Sequence, residues 1–359
     1  MEPNLRFGWT TGACAAAAAK AAFSALVLGH FPDPVEITLP RGQRVAFALA
    51  ETWLGHNFTM AAIVKDAGDD PDVTHGALIR VTIRRGERGT GVHFRAGEGV
   101  GIVTRPGLPI PPGEPAINPV PRQMIRDALN EIATTPDVVV EISIPGGEKL
   151  AGHTLNGRLG IVGGLSILGT TGVVVPFSCA AWIHSIHRGI DVARAAGLDL
   201  LAGATGRTSE AAIKAMHGLD DMALIDMGDF VGGMLKYLRT HPVPRISIAG
   251  GIGKMTKLAQ GRLDLHSRRG SVDFAALAEI VIGQGANPEI ADKVIRANTA
   301  VEAFELAPAL GQAIALRAWK TAAAALDPGD AALEIVVFDR SGAIVAGTGF
   351  QQIHGRNLR

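Results

Sequence analysis

From about Leu198 onward, the sequence repeats one pattern three times: an apolar run, a turn that contains glycine, and a helical stretch. The three copies read "LDLLAGATGRTSEAAIKAMHG", "MALIDMGDFVGGMLKYLRT" and "RISIAGGIGKMTKLAQG". Consecutive units of this kind place their strands parallel in one sheet, because each helix carries the chain back to the edge where the strand began. We therefore predict a Rossmann-like parallel α/β domain in the C-terminal part of the chain.

The N-terminal part has a different pattern, in which short β-rich runs outnumber helices. The runs "VEITLP", "RVAFALAETWL", "FTMAAIVKDA" and "LIRVTIRR" are separated by Gly, Asp and Pro, which favour turns. This spacing is typical of an α+β domain with a largely antiparallel sheet. We expect residues 1–155 to form this α+β domain and residues 156–359 to form the Rossmann-like α/β domain.

Charge and cysteine content argue against several general classes of protein. The chain has 359 residues, and Lys+Arg and Asp+Glu both number 34, so it lacks the basic excess of general nucleic-acid or membrane-surface binders. Cys14 and Cys179 lie far apart in sequence and suggest no disulfide framework, which favours a cytoplasmic protein. No signal peptide is recognisable, and Lys20 interrupts the alanine-rich run, so we expect no membrane span.

The opening stretch "LRFGWTTGACAAAAAKAAFSALVLG" predicts a helix that ends at Gly29. Thr10 or Thr11 can cap this helix, because a threonine oxygen accepts a hydrogen bond from a first-turn N–H. A single cap leaves other N–H groups of the first turn without a partner. We therefore hypothesise that Thr10, Thr11 and Gly12 line a ligand cleft.

Four aspartates cluster in the stretch "VKDAGDDPDVTHG", namely Asp66, Asp69, Asp70 and Asp72. One interpretation is a solvated acidic turn, since Asp and Gly favour turns. The other is a carboxylate cluster that binds a cation or faces a positively charged ligand such as a sulfonium. On the second interpretation, Asp66 and Asp70 are candidate catalytic residues.

Arginines stand out at two places in the first half of the chain. Asn118 precedes Pro119 at a predicted helix start, and Arg122 lies in the first turn, where the helix dipole disfavours a positive charge. Either a bound anion compensates for this, or Arg122 is an ordinary surface residue. Arg80 and Arg84 share one face of a predicted strand, and they either bind substrate carboxylates or protect an edge strand from aggregation.

Glycine is densest in "LNGRLGIVGGLSILGTTGVVVP". The candidate ligand-binding residues of this segment are glycines and hydroxyl-bearing side chains: Gly163, Gly164, Ser166, Gly169, Thr170 and Thr171. Free N–H groups and hydroxyls in such a loop bind anionic or polar ligands. The alternative is a set of tight turns between short buried strands. No Gly-Lys-Ser/Thr follows, so the segment is not a Walker loop.

A further candidate site lies in "IAGGIGKMTKLAQG", after the third apolar run. Gly250, Gly253 and Lys254 combine a glycine turn with a basic helix start, which suits an anion, although their spacing departs from the G-x-G-x-x-G fingerprint. His266 and Ser267 follow, and His266 is either a candidate catalytic residue or, as a lone histidine, a structural one. The sequence shows no Ser–His–Asp order that would indicate a catalytic triad. It also shows no zinc-ligand spacing, so we expect no protein metal site.

Taken together, these segments resemble the signature blocks of the CbiD family. The matching blocks are, in order, "GWTTGACAAAAAKAA", "VKDAGDDPDVTHG", "GVGIVTRPGLPIPPGEPAINPVPRQMI", "LNGRLGIVGGLSILGTTGVVVP", "GRTSEAAI" and "GGIGKMTKLAQGRLDLHS". The resemblance extends from Leu5 to about Ser267. Gly251 departs from the family pattern, which has a histidine there, whereas His266 and Ser267 match the family's His-Ser pair.

The resemblance implies methylation of cobalt-precorrin-5B at C(1), giving cobalt-precorrin-6A in anaerobic cobalamin biosynthesis. It implies S-adenosylmethionine as the methyl donor and a cobalt-tetrapyrrole polycarboxylate as the acceptor, with the cobalt belonging to the substrate. From the charge balance we expect neither nucleic acid nor a membrane as a partner, and transient contact with neighbouring pathway enzymes stays open. Two alternatives stay open: a corrinoid carrier without methyl transfer, and a small-molecule kinase suggested by the glycine loops.

Overall fold

The computed structural model describes residues 5–267, 270–327 and 330–353. The chain forms two compact units, Met1–Ser178 and Cys179–Arg359, and each has its own hydrophobic core. Helices and sheets occur in both units, so the expected mixed α/β class is confirmed.

The main sheet of the first unit has five strands. The strands of this unit are β1 (Gly8–Trp9), β2 (Val35–Thr38), β3 (Arg44–Phe47), β4 (Glu51–Leu54), β5 (Phe58–Val64), β6 (Leu78–Arg85), β7 (Val92–Ala96), β8 (Ile102–Val103), β9 (Val138–Ser143), β10 (Ile161–Val162) and β11 (Val173–Val174). Its helices are α1 (Thr11–Leu28), α2 (Pro119–Asn130) and α3 (Gly147–Ala151). The main sheet has the order β4-β5-β6-β9-β7 and is antiparallel except for the β7–β9 pair.

The segment after residue 155, expected in the second domain, lies in the first unit. Strand β10 pairs with β8, and β11 pairs with β1, both in antiparallel fashion. These pairings join residues that are far apart in sequence, so local patterns do not show them. The division between the units therefore falls at Ser178 rather than at residue 155.

Helix α1 forms the centre of the first core. Its small alanine side chains are buried and allow the helix to pack closely on Ala61 of β5 and Val81 of β6. By length and composition alone α1 is long and apolar enough to cross a membrane, a possibility that the expectation from sequence did not allow for. However, 78% of the helix is buried inside the protein, as in the core helix of a folded domain.

The second unit is built on a largely parallel sheet. Its strands are β12 (Leu200–Ala204), β13 (Leu224–Asp226), β14 (Arg245–Gly251), β15 (Ala332–Phe338), β16 (Ile344–Gly347) and β17 (Gln351–Gln352). Its helices are α4 (Cys179–Ala195), α5 (Arg207–His217), α6 (Val231–Thr240), α7 (Ile252–Ala259), α8 (Phe274–Gly283), α9 (Pro288–Ile295), α10 (Ala300–Leu306) and α11 (Leu310–Leu326), with a 3₁₀ turn at Asp221–Ala223. Strands β13, β12, β14 and β15 are parallel neighbours in that order, and β16 and β17 run antiparallel to β15.

The strand order positions a crevice at one end of this sheet. The chain adds β13 on one side of β12 and then β14 on the other side, so the direction of winding reverses between β12 and β14. Helices cover both faces: Ile213 of α5 packs beside Ala202 on one face, and Met255 of α7 belongs to the core on the other. Open parallel sheets bind ligands at the carboxyl ends of the strands where such a reversal occurs.

Candidate functional site

A cleft of about 690 Å³ lies at the carboxyl ends of β12, β14 and β15 in the second unit. It is lined by residues 205–209, 251–254, 298–301 and 338–340, together with Lys257, Ser271, Val272 and Phe274. The first two segments follow the strands between which the winding reverses. The fold therefore places this cleft where a parallel sheet is expected to bind a ligand.

In the described part of the second unit, helices α5, α7, α8 and α10 begin at the cleft, and glycine precedes two of them, α5 and α7. In the described structure neither Gly206 before α5 nor Gly251 before α7 provides a side-chain cap. A Cβ atom added to Gly206, Gly251 or Gly253 would have no described atom within 4 Å, so the backbone at these positions is open. First-turn N–H groups of the two helices are thus available to a ligand, and the helix dipoles favour an anionic or polar one.

Basic side chains dominate the charge of the cleft. Among the described lining residues four are basic, namely Arg207, Lys254, Lys257 and Arg340, and Asp339 is the one acidic residue. The Asp339 carboxylate accepts hydrogen bonds from the hydroxyl and N–H of Ser341 and from the N–H of Ala343, and these bonds lower its pKa. The Asp339 carboxylate therefore stabilises the turn between β15 and β16 through these hydrogen bonds.

The two lysines of the cleft have partners within the protein. The Lys254 ammonium lies 2.8 Å from a carboxylate oxygen of Asp229 and donates to the carbonyl of Thr205 at 3.1 Å. Lys257 donates to the carbonyl of Leu265 at 3.1 Å. Both ammonium groups thus help to hold the loops that shape the cleft.

The structure places the predicted residues of the second unit at different distances from the cleft. Gly253 and Lys254 line it, and Gly250 lies directly behind it, where a Cβ would come within 2.8 Å of the Thr205 hydroxyl. Neither His266 nor Ser267 is among the described residues that line the cleft. Both are exposed, and the His266 N–H donates to Asp264.

Several lining residues are not among those predicted from the sequence. They follow β12 and precede α10: Thr205, Gly206, Arg207, Thr208, Ser209, Asn298 and Thr299. A usable signal was present for the first five, because "AGATGRTSE" is a glycine turn between a strand and a helix. For Asn298 and Thr299 the sequence carries no comparable signal, since their position depends on tertiary packing.

In the first unit, the predicted cap of α1 by Thr10 is confirmed, whereas the expectation of further free N–H groups is wrong for Gly12. The Ala13 N–H donates to the Thr10 hydroxyl at 3.2 Å, and the Gly12 N–H donates to the carbonyl of Leu168 at 3.0 Å. The Thr11 hydroxyl accepts from the N–H of Leu168 at 3.0 Å and donates to its carbonyl at 3.2 Å. These residues hold the glycine-rich segment against α1, and a ligand role for them stays a prediction.

Most of the glycine-rich segment makes tight turns and close contacts. A Cβ at Gly164 would lie 2.3 Å from the backbone of Gly99, and a Cβ at Gly169 would lie 2.3 Å from the Thr10 hydroxyl. The Ser166 hydroxyl donates to Asn156 at 3.2 Å. These contacts favour the structural interpretation of the segment.

Three other predicted residues of this segment differ in their surroundings. Thr171 is half-buried, and its hydroxyl donates to the Val173 carbonyl at 3.2 Å. Gly163 has a φ of 83° and no described atom within 4 Å of an added Cβ, and Thr170 is exposed. Gly163 and Thr170 are therefore the predicted residues of the segment that are open to a ligand.

No anion is needed to explain Arg122. Its guanidinium reaches back to donate to the carbonyls of Ile117 at 2.8 Å and Pro115 at 3.1 Å, and to the carboxylate of Glu114 at 3.1 Å. These acceptors compensate for the unfavourable position of the charge near the helix start. Asn118 likewise donates from its side chain to the carbonyl of Ile167 at 3.2 Å.

The aspartates of the acidic turn also have partners. Asp66 forms an ion pair with Arg6, and the hydrogen bonds from Arg6 and from the N–H of Gly68 lower the pKa of Asp66 to about 2. Asp70 accepts from the N–H of Phe177 at 2.8 Å. These contacts support the structural interpretation of the turn, and a catalytic role for Asp66 or Asp70 stays a prediction.

The strand-face arginines of the first unit are paired as well. Arg80 lies 3.0 Å from Glu51, and Arg84 lies 3.2 Å from Glu141. Neither guanidinium is therefore held ready for a substrate carboxylate. Within the described ranges, no group of three or more His, Cys, Asp and Glu side chains is arranged to hold a metal ion.

Comparison with known proteins identifies the family. Family models for CbiD and for the CbiD C-terminal domain match residues 1–176 and 264–349. The chain is 62% identical over 346 residues to the cobalt-precorrin-5B C(1)-methyltransferase of Agrobacterium fabrum, covering 95% of this chain and 92% of that protein. The chain belongs to the CbiD family. This confirms the resemblance seen in the sequence blocks.

Two further CbiD-family proteins give the range of similarity. The cobalt-precorrin-5B C(1)-methyltransferase of Methylorubrum extorquens is 62% identical over 350 residues, covering 95% of this chain and 97% of that protein. A 1.9 Å crystal structure of the cobalamin biosynthesis protein CbiD from Archaeoglobus fulgidus is 27% identical, with a TM-score of 0.40 over 74% of this chain and 83% of that chain.

Proposed function

We propose that this chain uses S-adenosylmethionine to methylate cobalt-precorrin-5B at C(1), which gives cobalt-precorrin-6A in anaerobic cobalamin biosynthesis. The observation that carries the proposal is the 62% identity over 95% of the chain to a protein named for this methyl transfer. The proposal includes a Rossmann-like second domain, a cytoplasmic location and transient contact with neighbouring pathway enzymes. The parallel strands of the second unit and the free thiols of Cys14 and Cys179 support the first two points.

We place the methyl donor in the cleft of the second unit. A volume of about 690 Å³ is within the usual range for sites that bind small molecules. Val272 and Phe274 offer apolar surface for a purine ring, while the Thr205 hydroxyl and the open backbone at Gly206 and Gly251 offer polar contacts. When bound, the donor supplies an electrophilic methyl group on a sulfonium.

The residues of the cleft suit a reaction that depends on orientation. In the methyl transfer, a bond from the methyl carbon to the ring carbon forms as the carbon–sulfur bond breaks. The ring carbon is electron-rich, so the protein need not supply a nucleophile, and its contribution is alignment and electrostatics. Strands β12 and β14 end at the cleft and hold its two glycine turns on a rigid sheet. A ligand role for Gly163 and Thr170 of the first unit stays a prediction of its own.

The reaction is tested by anaerobic incubation of the purified chain with cobalt-precorrin-5B and S-adenosylmethionine that is isotopically labelled in its methyl group. Mass spectrometry should show a product with one labelled methyl that forms only when the protein is present. Corrinoid that is retained on the protein without methylation would favour the carrier alternative. If the protein neither retains nor methylates the corrinoid, both interpretations are refuted.

The location of the site is tested by filling the cleft with a side chain. Gly251→Leu keeps an ordinary backbone conformation, since φ is −72° and ψ is 159°, and the new side chain enters open space in the cleft. Gly283→Leu is a matched control, because Gly283 also has open space around an added Cβ but does not line the cleft. We expect Gly251→Leu to abolish methyl transfer and Gly283→Leu to retain it. Retained activity in both variants would place the site elsewhere.

A further inference from the structure

Two guanidinium groups at the edge of the cleft have no partner within the described part of the protein. Arg207 is the first residue of α5, and Arg340 lies in the turn between β15 and β16. Both side chains are exposed and line the cleft. Among the residues that the structure describes, neither side chain has a hydrogen bond, an ion pair or a ring contact.

The absence of a partner within the described structure distinguishes Arg207 and Arg340 from the other charged residues of the cleft. It also distinguishes them from the arginines of the first unit that were predicted as ligand contacts. Lys254 is held by Asp229 and Thr205, and Lys257 is held by Leu265. The Asp339 carboxylate accepts three hydrogen bonds from its own turn. The edge of the cleft therefore carries two positive charges that no carboxylate within the described structure compensates.

We propose that Arg207 and Arg340 bind carboxylate groups of the acceptor at the edge of the cleft. The inference rests on the proposed function, because it assumes that the acceptor is a polycarboxylate and that methyl transfer takes place at this cleft. A guanidinium presents parallel N–H donors that match a carboxylate. The donor has one carboxylate but also an ammonium and a sulfonium, so its net charge is positive and two arginines favour the polyanionic acceptor over it. The arginines thus select the acceptor. The donor is bound by uncharged groups of the cleft, such as the Thr205 hydroxyl and the open backbone at Gly206 and Gly251.

The two arginines lie on separate loops that different parts of the fold hold in place. Arg207 follows the glycine turn after β12, and Asp339 fixes the turn that carries Arg340. Two such groups can bind two carboxylates of one ligand, or both can bind one carboxylate. A ligand with several carboxylate arms gains from both arrangements, while a ligand with a single carboxylate gains from one at most.

The test is kinetic and compares Arg207→Gln and Arg340→Gln with Arg317→Gln. Arg317 is an exposed arginine on α11 that does not line the cleft. Loss of one charged hydrogen-bonding partner should raise KM for cobalt-precorrin-5B by about tenfold in each cleft variant, and more in the double variant. The KM for S-adenosylmethionine should change by less than about twofold, as should both constants in the control.

Binding of cobalt-precorrin-5B alone, followed by its visible absorbance, gives a second measurement that needs no turnover. Both cleft variants should retain less corrinoid than the wild type, and high salt should reduce this difference because it screens exposed charges. An increase in the donor KM alone would instead assign the arginines to the donor carboxylate and overturn the proposal. Unchanged acceptor KM and binding would also overturn it. If the wild type itself fails to methylate cobalt-precorrin-5B, that result counts against the proposed function. The binding of cobalt-precorrin-5B to the wild type and to the variants would still test the role of the arginines.

Discussion

The buried ion pair between Lys65 and Asp72 gives the most quantitative prediction for the first unit. The Lys65 side chain is 1% exposed, the Asp72 side chain is 25% exposed, and their charged atoms lie 2.6 Å apart. Asp72 also accepts hydrogen bonds from the N–H of Thr74 at 2.7 Å and from its hydroxyl at 2.6 Å. Asp72 therefore keeps its two hydrogen bonds from Thr74 when Lys65 is replaced, whereas Lys65 loses its counter-charge when Asp72 is replaced.

The change Asp72→Asn should destabilise the first unit strongly. It leaves the Lys65 ammonium buried without a counter-charge, and removing one partner of a buried pair costs about 3–5 kcal/mol. Because Asp72 is partly exposed, we take the lower end, about 3 kcal/mol, which corresponds to about a 150-fold change in the unfolding equilibrium. Lys65→Met should cost only about 1 kcal/mol, because the remaining carboxylate keeps both bonds to Thr74 and some contact with water.

The assay is amide hydrogen exchange of β5 and β6, followed by mass spectrometry in the full chain. It reports the free energy of opening for the first unit separately from the second. The double variant Lys65→Met/Asp72→Asn is the control, and it should recover most of the loss because no unpaired buried charge remains. If Lys65→Met accelerates exchange more than Asp72→Asn does, or if Asp72→Asn changes exchange by less than about tenfold, the reasoning is refuted.

The pH dependence of this stability has a definite sign. Burial opposes ionisation of Asp72, but the charge of Lys65 and the hydrogen bonds from Lys65 and Thr74 outweigh it, so the pKa of Asp72 is lowered in the folded protein. The contribution is therefore complete above the unfolded pKa of about 3.9 and is lost as the pH falls through the folded pKa. In Asp72→Asn this acid-dependent part of the stability should be absent.

Three other perturbations are predicted from the structure. Gly164→Ala should lower Tm well beyond Gly157→Ala in thermal unfolding, because the new Cβ of the first meets backbone at 2.3 Å while that of the second meets open space at a position without a positive φ. Equal shifts would contradict the packing argument. Thr11→Val should cost about 1–2 kcal/mol and speed amide exchange in residues 165–172, whereas Thr11→Ser should not. Burial raises the pKa of the Cys14 thiol to about 12, so a thiol reagent should label only Cys179 in the native protein and both cysteines after denaturation.

Local sequence patterns predicted much of the secondary structure. Glycine turns after β12 and β14 and the alanine-rich run of α1 are visible because each element is set by residues close in the chain. The domain boundary was less accurate, because the placement of β10 and β11 depends on pairing with β8 and β1. Such pairings join short strands through distant residues, and short strands carry little periodicity of their own.

The candidate site was harder to predict than the fold, because a sequence does not show which polar groups are already partnered. The positive charge of Arg122 is unfavourable near the start of its helix because of the helix dipole. This correctly indicates that another group compensates for the charge. The compensating groups are Glu114 and two carbonyls of the same unit rather than a bound anion. The same holds for Asp66, whose partner Arg6 lies 60 residues away.

This difference between partnered and unpartnered charges gives a physical order among the candidates for ligand binding. For Arg122 to bind a substrate carboxylate, it must first give up its bonds to Glu114, Pro115 and Ile117, and the buried part of that network would lose its donors. Arg207 and Arg340 have no such bonds to give up within the described structure, so their whole interaction energy is available to a ligand. The same reasoning ranks Lys254 and Lys257 below them, since both ammonium groups hold loops of the cleft. Charge composition alone treats these five side chains as equivalent, and only the tertiary contacts separate those that maintain the fold from those that remain available for binding.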